Sequence, residues 1–269
     1  MRVAVAGAAG KMGRTVLAAV SAEPDLDLVA ACDPAAAGAT LRELAGLDEA
    51  VTVTAGPEGF APGSVDALVD FTVAPAALAD LRWCASNGVH GVCGTTGLGA
   101  AALTELAAAF GPEGAPNCVL APNFAISAVL MMRLAALAAP YFSSAEIIEL
   151  HHDQKRDAPS GTALETARRI AEARAGAGPF GADPTEVTVL EGARGGVAEA
   201  GVHLHSVRLA GLVAHQEVLF GTTGQSLTLR QDSYDRTSFM PGVLLALRKV
   251  ATTPGFTVGL DALLDRAPR

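Results

Sequence analysis

The N-terminal part of the chain alternates apolar runs with stretches of helical periodicity, and this alternation limits the fold more than any other feature. Residues 2–6, 26–32, 65–71, 89–93 and 118–121 are runs typical of buried strands. Between them, apolar side chains recur at helical spacing. Strands separated by helices form a parallel sheet covered on both faces. The sequence therefore predicts an α/β, Rossmann-like N-terminal domain.

The pattern changes after Asn123. A helix is predicted over residues 126–139, a strand over 145–150 and a second helix over 162–175. Strand-like runs then follow without helices between them, at 186–190, 202–209, 215–220 and 226–230. Consecutive strands favour an antiparallel or mixed sheet, so a separate α+β domain is predicted. A last helix is predicted over 238–250.

Composition excludes several classes of protein. Half of the residues are apolar and 17% are charged, so the chain can bury a core and is not disordered. A net charge of −9 and 4% aromatic residues argue against nucleic-acid binding. No apolar stretch is long enough to span a membrane, and the N-terminus has no signal-peptide layout, so a cytoplasmic location is expected. The four cysteines lack CxxC spacing and are interpreted as buried free thiols.

A glycine-rich turn joins the first strand to the first helix. Its spacing, Gly7-Ala-Ala-Gly10-Lys-Met-Gly13, is GxxGxxG rather than GxGxxG, so a turn without any nucleotide stays an alternative. Asp33 ends the second strand about twenty residues later, where an acidic side chain can bind a ribose 2′-hydroxyl. Proline follows Asp33, and the carboxylate repels a 2′-phosphate. NADH is therefore favoured, with NADPH tolerated because Lys11 offers a nearby cation.

Two further loops follow predicted strands at the same edge of the sheet. Gly94-Thr95-Thr96-Gly97 has small residues and free amides that suit a nicotinamide ribose and carboxamide, although a simple loop is the alternative. Residues 121–124 end the last strand of this part in the same way. Ligands collect at this edge in parallel sheets.

The segment from Glu149 to Thr162 contains the most unusual combination of side chains. His151 and His152 are adjacent, Lys155 follows, and Ser160-Gly161-Thr162 begins a helix. The ordinary interpretation of these residues is that one histidine lies in the core, the other lies on the surface, and the lysine is solvated. A metal site lacks further ligands at fixed spacing. Together, however, the imidazoles, the amine and the helix amides can move protons and bind carboxylates. The segment predicts chemistry on a small acidic substrate.

These motifs resemble those of the 4-hydroxy-tetrahydrodipicolinate reductase (dihydrodipicolinate reductase) family of bacterial lysine and diaminopimelate biosynthesis. The resemblance covers essentially the whole length. It is carried by VAVAGAAGKMGR at the start, DFT (70–72), GTTG (94–97), APNFAISAVL (121–130), ELHHDQKRDAPSGTA (149–163) and DSYDRTSFMPGVLLAL (232–247). Some members have an arginine where this chain has the proline after Asp33, so the preferred cofactor is the point most open.

The resemblance implies an NAD(P)H-dependent reduction of 4-hydroxy-tetrahydrodipicolinate, a small dicarboxylate, to tetrahydrodipicolinate with loss of water. It implies a dinucleotide-binding domain (1–122 with 232–269), an inserted substrate and oligomerisation domain (123–231) and a homotetramer. His151 matches the proton donor and acceptor, and Lys155 a second proton donor. Substrate-binding positions match His152, Gly161 and Thr162, beside the Ser160 that begins the helix. Cofactor-binding positions match Gly7, Ala8, Ala9, Gly10, Lys11, Met12, Asp33, Gly94, Thr95, Thr96, Ala121, Pro122, Asn123 and Phe124.

Two alternatives stay open. Another Rossmann dehydrogenase of the aspartate pathway is one, but an aspartate-semialdehyde type needs a nucleophilic cysteine, and Cys93 in an apolar strand is poorly placed. The other is a dinucleotide-sensing module without catalysis, which leaves the histidine–lysine segment unexplained. Binding of pyridine-2,6-dicarboxylate in the presence of NADH distinguishes them.

Overall fold

The computed structural model describes residues 1–48 and 50–264. The chain divides into two compact units. The first comprises Met1–Phe124 together with the residues from Arg236 onward, and the second comprises Ala125–Asp235. Among the described residues, no helix is long and apolar enough to cross a membrane.

The helices and strands are numbered here along the chain. They are β1 (Arg2–Ala6), α1 (Lys11–Ser21), β2 (Asp27–Cys32), α2 (Leu41–Ala45), β3 (Ala67–Asp70), α3 (Ala74–Asn87), β4 (His90–Cys93), α4 (Ala100–Phe110), β5 (Cys118–Leu120), α5 (Ile126–Ala138), β6 (Ser144–His151), α6 (Gly161–Ala173), β7 (Gly196–Val197), β8 (His203–Arg208), β9 (Ala214–Thr222), β10 (Gln225–Ser233), α7 (Met240–Val250), β11 (Phe256–Val258) and α8 (Asp261–Leu264).

A six-stranded parallel sheet organises the first unit. Its strand order is β11-β5-β4-β3-β1-β2, and every pairing is parallel. The α/β, Rossmann-like prediction is therefore confirmed. The strands are short apolar runs with both faces buried, as a sheet covered by helices requires. The chain reverses direction across the sheet at β1, which lies between β2 and β3. In such sheets, ligands bind beyond the carboxyl ends of the strands at this switch point.

All four cysteines lie in this unit, where each is a buried free thiol, as predicted. Burial raises the pKa of Cys93 to about 12 and raises the pKa values of Cys84 and Cys118 well above the ordinary range. The thiolate form, which is the nucleophile, is therefore disfavoured at neutral pH. This argues against a cysteine-dependent dehydrogenase.

The second unit contains a five-stranded sheet in the order β10-β9-β6-β8-β7. Strand β6 pairs with β8 in parallel and with β9 antiparallel, so the predicted mixed sheet is confirmed. Helix α5 packs against α6 and against β10. The inward side chains of the sheet include the fully buried Ile147 and Phe220.

The predicted strands differ from those of the structure in more than one place. Residues 186–190 are not a strand, although Val187 and Val189 alternate with polar residues. A strand needs a backbone partner, and the edge of β8 that faces away from β6 is already paired with β7. Conversely, β11 was not predicted, because three residues after Pro254-Gly255 carry no periodic signal. It exists because it pairs with β5 at the edge of the first sheet.

Candidate active site

The glycine turn between β1 and α1 is closely packed. Gly7 has a φ of +74°, and a Cβ there would lie 3.0 Å from the Phe71 carbonyl oxygen. A Cβ on Gly13 would lie 2.0 Å from the Gly7 carbonyl oxygen. Helix α1 has no acidic residue in its first turn, and Gly10 caps it without a side-chain hydrogen bond. The first-turn amides are thus uncapped by side chains, which suits the binding of a phosphate.

Within the turn, Ala8 is buried, Ala9 and Met12 are half-buried, and Lys11 is exposed at the start of the helix. Arg14 holds the turn in place, because its guanidinium donates to the Ala9 carbonyl at 3.1 Å and to that of Leu44 at 2.7 Å. The guanidinium is therefore engaged with backbone oxygens.

Asp33 lies directly after β2, beside the glycine turn. One carboxylate oxygen accepts the Ala9 N–H at 2.9 Å, and the other accepts the Ala35 N–H at 2.9 Å. These bonds fix the carboxylate next to the turn, and each oxygen keeps a lone pair that a further donor can use. This geometry can accept a hydroxyl hydrogen bond.

The loop after β4 packs against the loop after β3. A Cβ on Gly94 would lie 2.1 Å from the Phe71 ring, so only glycine fits there. Thr95 is buried and donates its hydroxyl to Asp70 Oδ1 at 2.7 Å, whereas Thr96 is exposed. The Asp70 carboxylate is fully buried and also accepts the Thr72 N–H and hydroxyl at 3.1 and 3.0 Å. Asp70 therefore joins the ends of β3 and β4.

The segment after β5 completes this edge of the sheet. Ala121 is buried and donates its N–H to the Cys93 carbonyl at 2.9 Å. Phe124 is buried beside Phe71, with ring centroids 5.7 Å apart. Pro122 is exposed and Asn123 half-buried. Because β1, β2, β4 and β5 are parallel, all the predicted cofactor positions gather at one edge of the sheet.

In the second unit, His151 ends β6 and its side chain is 16% exposed. Its Nδ1 lies 2.5 Å from Glu149 Oε2, two residues earlier on the same face of the strand. Burial lowers the pKa of His151, which outweighs the opposing effect of the Glu149 carboxylate, while the positive charges of Lys155 and Arg208 lower it further. The imidazole is thus biased towards its neutral form and lies among positive charges.

Lys155 and His152 occupy the loop after β6. The Lys155 ammonium donates to both carboxylate oxygens of Asp157 at 2.8 Å, and its side chain is 20% exposed. His152 is exposed, and its Nδ1 accepts the Gln154 N–H at 3.2 Å. The lysine is therefore held near His151 by an exposed carboxylate.

Helix α6 begins at the Ser-Gly-Thr motif, as predicted. The Ser160 hydroxyl accepts the Ala163 N–H at 3.2 Å, and Ser160 is buried. Gly161 is exposed and Thr162 half-buried in the first turn, which has no acidic residue. The Ser160 N–H donates to Glu149 Oε1 at 3.2 Å, which ties this helix start to the strand that carries His151. The structure thus brings His151, Lys155 and the start of α6 together within one unit.

Sequence reasoning gave no role to three residues of these sites: Asp70, Glu149 and Arg208. The position of Glu149 two residues before His151, on the same face of a strand, was a usable signal. Arg208 had none, because it meets Glu149 only through the pairing of β6 with β8. Asp70 interrupts an apolar run at the end of β3, which also marks it.

Comparison with known proteins covers both units. The family model for dihydrodipicolinate reductase, N-terminus, matches residues 1–124, and the model for its C-terminus matches residues 127–264. The 4-hydroxy-tetrahydrodipicolinate reductases of Nocardia farcinica and Mycobacterium marinum are each 48% identical over 265 residues, which is 98% of this chain and 99% of theirs.

A solved structure is similar over the same extent. The dipicolinate-bound dihydrodipicolinate reductase of Paenisporosarcina sp. TG-14 aligns with a TM-score of 0.86 and 42% identity. The alignment covers 97% of this chain and 98% of that one.

Proposed function

This chain belongs to the dihydrodipicolinate reductase family, and we propose that it reduces 4-hydroxy-tetrahydrodipicolinate to tetrahydrodipicolinate, with loss of water, in lysine biosynthesis through diaminopimelate. It is an NAD(P)H-dependent oxidoreductase. The substrate is a small cyclic imine dicarboxylate. Full-length membership in this family also removes the alternatives of a non-catalytic dinucleotide sensor and of another aspartate-pathway dehydrogenase.

The first unit, predicted as residues 1–122 with 232–269, holds the reduced nicotinamide dinucleotide in this proposal. The closeness of Gly13 to Gly7 lets the first turn of α1 approach a pyrophosphate, and the uncapped amides there donate to it. Thr95, Thr96 and residues 121–124 line the carboxyl edge where the nicotinamide half lies. When bound, the nicotinamide supplies a hydride.

We favour NADH over NADPH. The Asp33 carboxylate accepts ribose hydroxyls and repels a 2′-phosphate, while Pro34 offers no cation. The surroundings of Cys32, the residue before Asp33, are also acidic. Burial raises the pKa of the Cys32 thiol, and four acidic side chains raise it further: Asp80, Asp70, Glu58 and Asp33. Lys11, exposed at the start of α1, is the cation that would tolerate NADPH.

The second unit, predicted as residues 123–231, binds the dicarboxylate. Ser160, Gly161 and Thr162 present the start of α6 to one carboxylate, and Lys155 and His152 take the charge of the other. Loss of the 4-hydroxyl together with a proton from an adjacent carbon, as water, leaves a conjugated imine, and hydride arrival at C4 moves negative charge towards an adjacent carbon or the ring nitrogen. His151 delivers the proton that this position needs, and Lys155 is the second proton donor.

The observation that carries the proposal is the joint position of His151, Lys155 and the α6 start within one unit of a full-length family member. Steady-state assays with NADH and NADPH and enzymatically generated substrate test the activity. His151→Ala is expected to lower kcat by about 100-fold or more, because general acid catalysis typically contributes that much. NADH affinity should stay near that of the wild type. Unchanged turnover in the variant would remove His151 from the reaction.

We also propose a cytoplasmic homotetramer assembled through the second unit. The support is the segment at 186–190, which has strand-forming alternation without a partner strand in the described chain. Its Val187, Val189 and Leu190 side chains are largely exposed, Val189 to 94%. Light scattering should give four times the 27.1 kDa chain mass, and Val189→Asp should lower it. A monomeric wild type contradicts this assembly.

A further inference from the structure

Glu149 is a buried carboxylate beside His151 that has no part in the proposed reaction. Its side chain is fully buried, and its carboxylate accepts four hydrogen bonds. Oε2 accepts from His151 Nδ1 at 2.5 Å and from Arg208 Nη1 at 2.9 Å. Oε1 accepts from Arg208 Nη2 at 2.8 Å and from the Ser160 N–H at 3.2 Å. Each oxygen therefore uses both of its lone pairs.

Arg208 is the partner that keeps this buried group charged. It lies on β8 directly opposite His151, and its guanidinium reaches back to bind Glu149 with two nitrogens. The same guanidinium donates to the Asp157 carbonyl at 2.6 Å, in the loop that carries Lys155. Burial acts to raise the pKa of Glu149, but the hydrogen bonds from Arg208 and His151 outweigh it, so the pKa is lowered and the carboxylate stays ionised.

An ionised carboxylate at Nδ1 determines what His151 can do. Neutral His151 must carry its proton on Nδ1 to donate to Glu149, which leaves Nε2 as the nitrogen that takes up and delivers protons. When His151 is protonated, the same carboxylate stabilises the imidazolium. Neither effect requires Glu149 to contact the substrate.

We infer that Glu149, anchored by Arg208, is a positioning residue that fixes the tautomer of His151, directs Nε2 to the substrate and stabilises the protonated ring. The same carboxylate holds the Ser160 amide, so it sets the proton donor and the start of α6 relative to each other. This inference rests on the proposed function, because it assumes that His151 donates the proton.

Glu149→Gln keeps the size of the side chain and removes its charge. We expect kcat to fall by about 100-fold, with NADH affinity unchanged. The basic limb of the kcat–pH profile should move to lower pH, because the imidazolium loses its stabilising carboxylate. Nitrogen-15 NMR of histidine-labelled protein should show His151 losing its preference for the Nδ1–H tautomer. A merely structural role for Glu149 would not move the pH limb or the tautomer.

Glu146→Gln is the matched control. Glu146 lies on the same strand and also pairs with a histidine and an arginine, accepting from His205 Nε2 at 2.8 Å and from Arg194 Nη2 at 2.7 Å. Its removal should leave kcat and the pH limb unchanged. If E149Q behaves like E146Q, the inference is overturned.

Two further outcomes separate this inference from the proposed function. If H151A keeps wild-type turnover, the proposed role of His151 fails, and this inference fails with it. If H151A loses turnover but E149Q keeps its pH limb and tautomer, only the inference about Glu149 fails. Should E149Q not fold, Glu149→Asp shortens the reach by one methylene. It is expected to lower kcat and change the tautomer, and wild-type values for both overturn the inference.

Discussion

Gly13→Ala tests how closely helix α1 must approach the turn that precedes it. Alanine is the better helix former by up to about 1 kcal/mol, so propensity alone predicts a more stable protein. The added Cβ, however, would lie 2.0 Å from the Gly7 carbonyl oxygen, 2.7 Å from its carbon and 2.9 Å from Ala8 Cα. All three neighbours are backbone atoms, so no side-chain rotation can relieve the overlap.

The size of the effect follows from that distance. Ordinary Cβ contacts begin at 3.4 Å, so the turn and the helix must separate by more than 1 Å. Overpacking of this kind costs about 1–3 kcal/mol in the free energy of unfolding. For a unit of this size, the unfolding midpoint should fall by roughly 2–12 °C. Loss of one charge-assisted hydrogen bond to the pyrophosphate costs about 1.5–3 kcal/mol, which corresponds to a roughly 10- to 150-fold weaker NADH complex.

Calorimetric titration with NADH and thermal unfolding measure both effects. Gly176→Ala is the control, because a Cβ there meets nothing within 4 Å and the residue is exposed. It should change neither NADH affinity nor the unfolding midpoint appreciably. A folded Gly13→Ala variant with wild-type NADH affinity would refute the assignment of this turn to the dinucleotide.

Three further predictions concern charge. Asp33→Ala should weaken the binding of NADH more than that of NADPH in direct titrations, because only the ribose hydroxyl of NADH loses its acceptor. Equal losses of affinity for the two cofactors would mean that Asp33 does not bind the ribose. Lys155→Ala should lower kcat and also weaken the binding of pyridine-2,6-dicarboxylate. A wild-type kcat and a wild-type affinity for this dicarboxylate would exclude the double role of Lys155 in proton donation and carboxylate binding. Binding of that dianion should raise the pKa of His151, which burial lowers in the free protein, so protons are taken up at pH values between the two pKa values. Calorimetry in buffers of different ionisation enthalpy measures this uptake, and proton release there would contradict it.

The first sheet was largely predictable because most residues of its strands are buried on both faces. Strand β1 was predicted with its observed bounds, and the strands β2 to β5 of the same sheet differ from prediction by one or two residues at an end. Continuous apolar runs between turn residues are visible in sequence without any knowledge of pairing. Residues 186–190 show the limit, since alternation indicates the capacity to form a strand but not the presence of a partner.

Some residues of the candidate sites could likewise be predicted from the sequence, and others could not. The glycine turn and Asp33 were found because their spacing along the chain is fixed by the strand and helix that they join. The Glu149–Arg208 pair was missed because its members are separated by 59 positions and meet only through strand register. Local sequence therefore indicated the proposed ligand-binding groups better than the groups that hold them in position.

The four buried thiols of the first unit can report local opening of its sheet. With sulfur atoms shielded inside the sheet and its helices, and ionisation suppressed, alkylating reagents can modify them only while the surrounding segment is transiently exposed. The rate of labelling of each thiol therefore measures how often its part of the sheet opens, without any engineered probe.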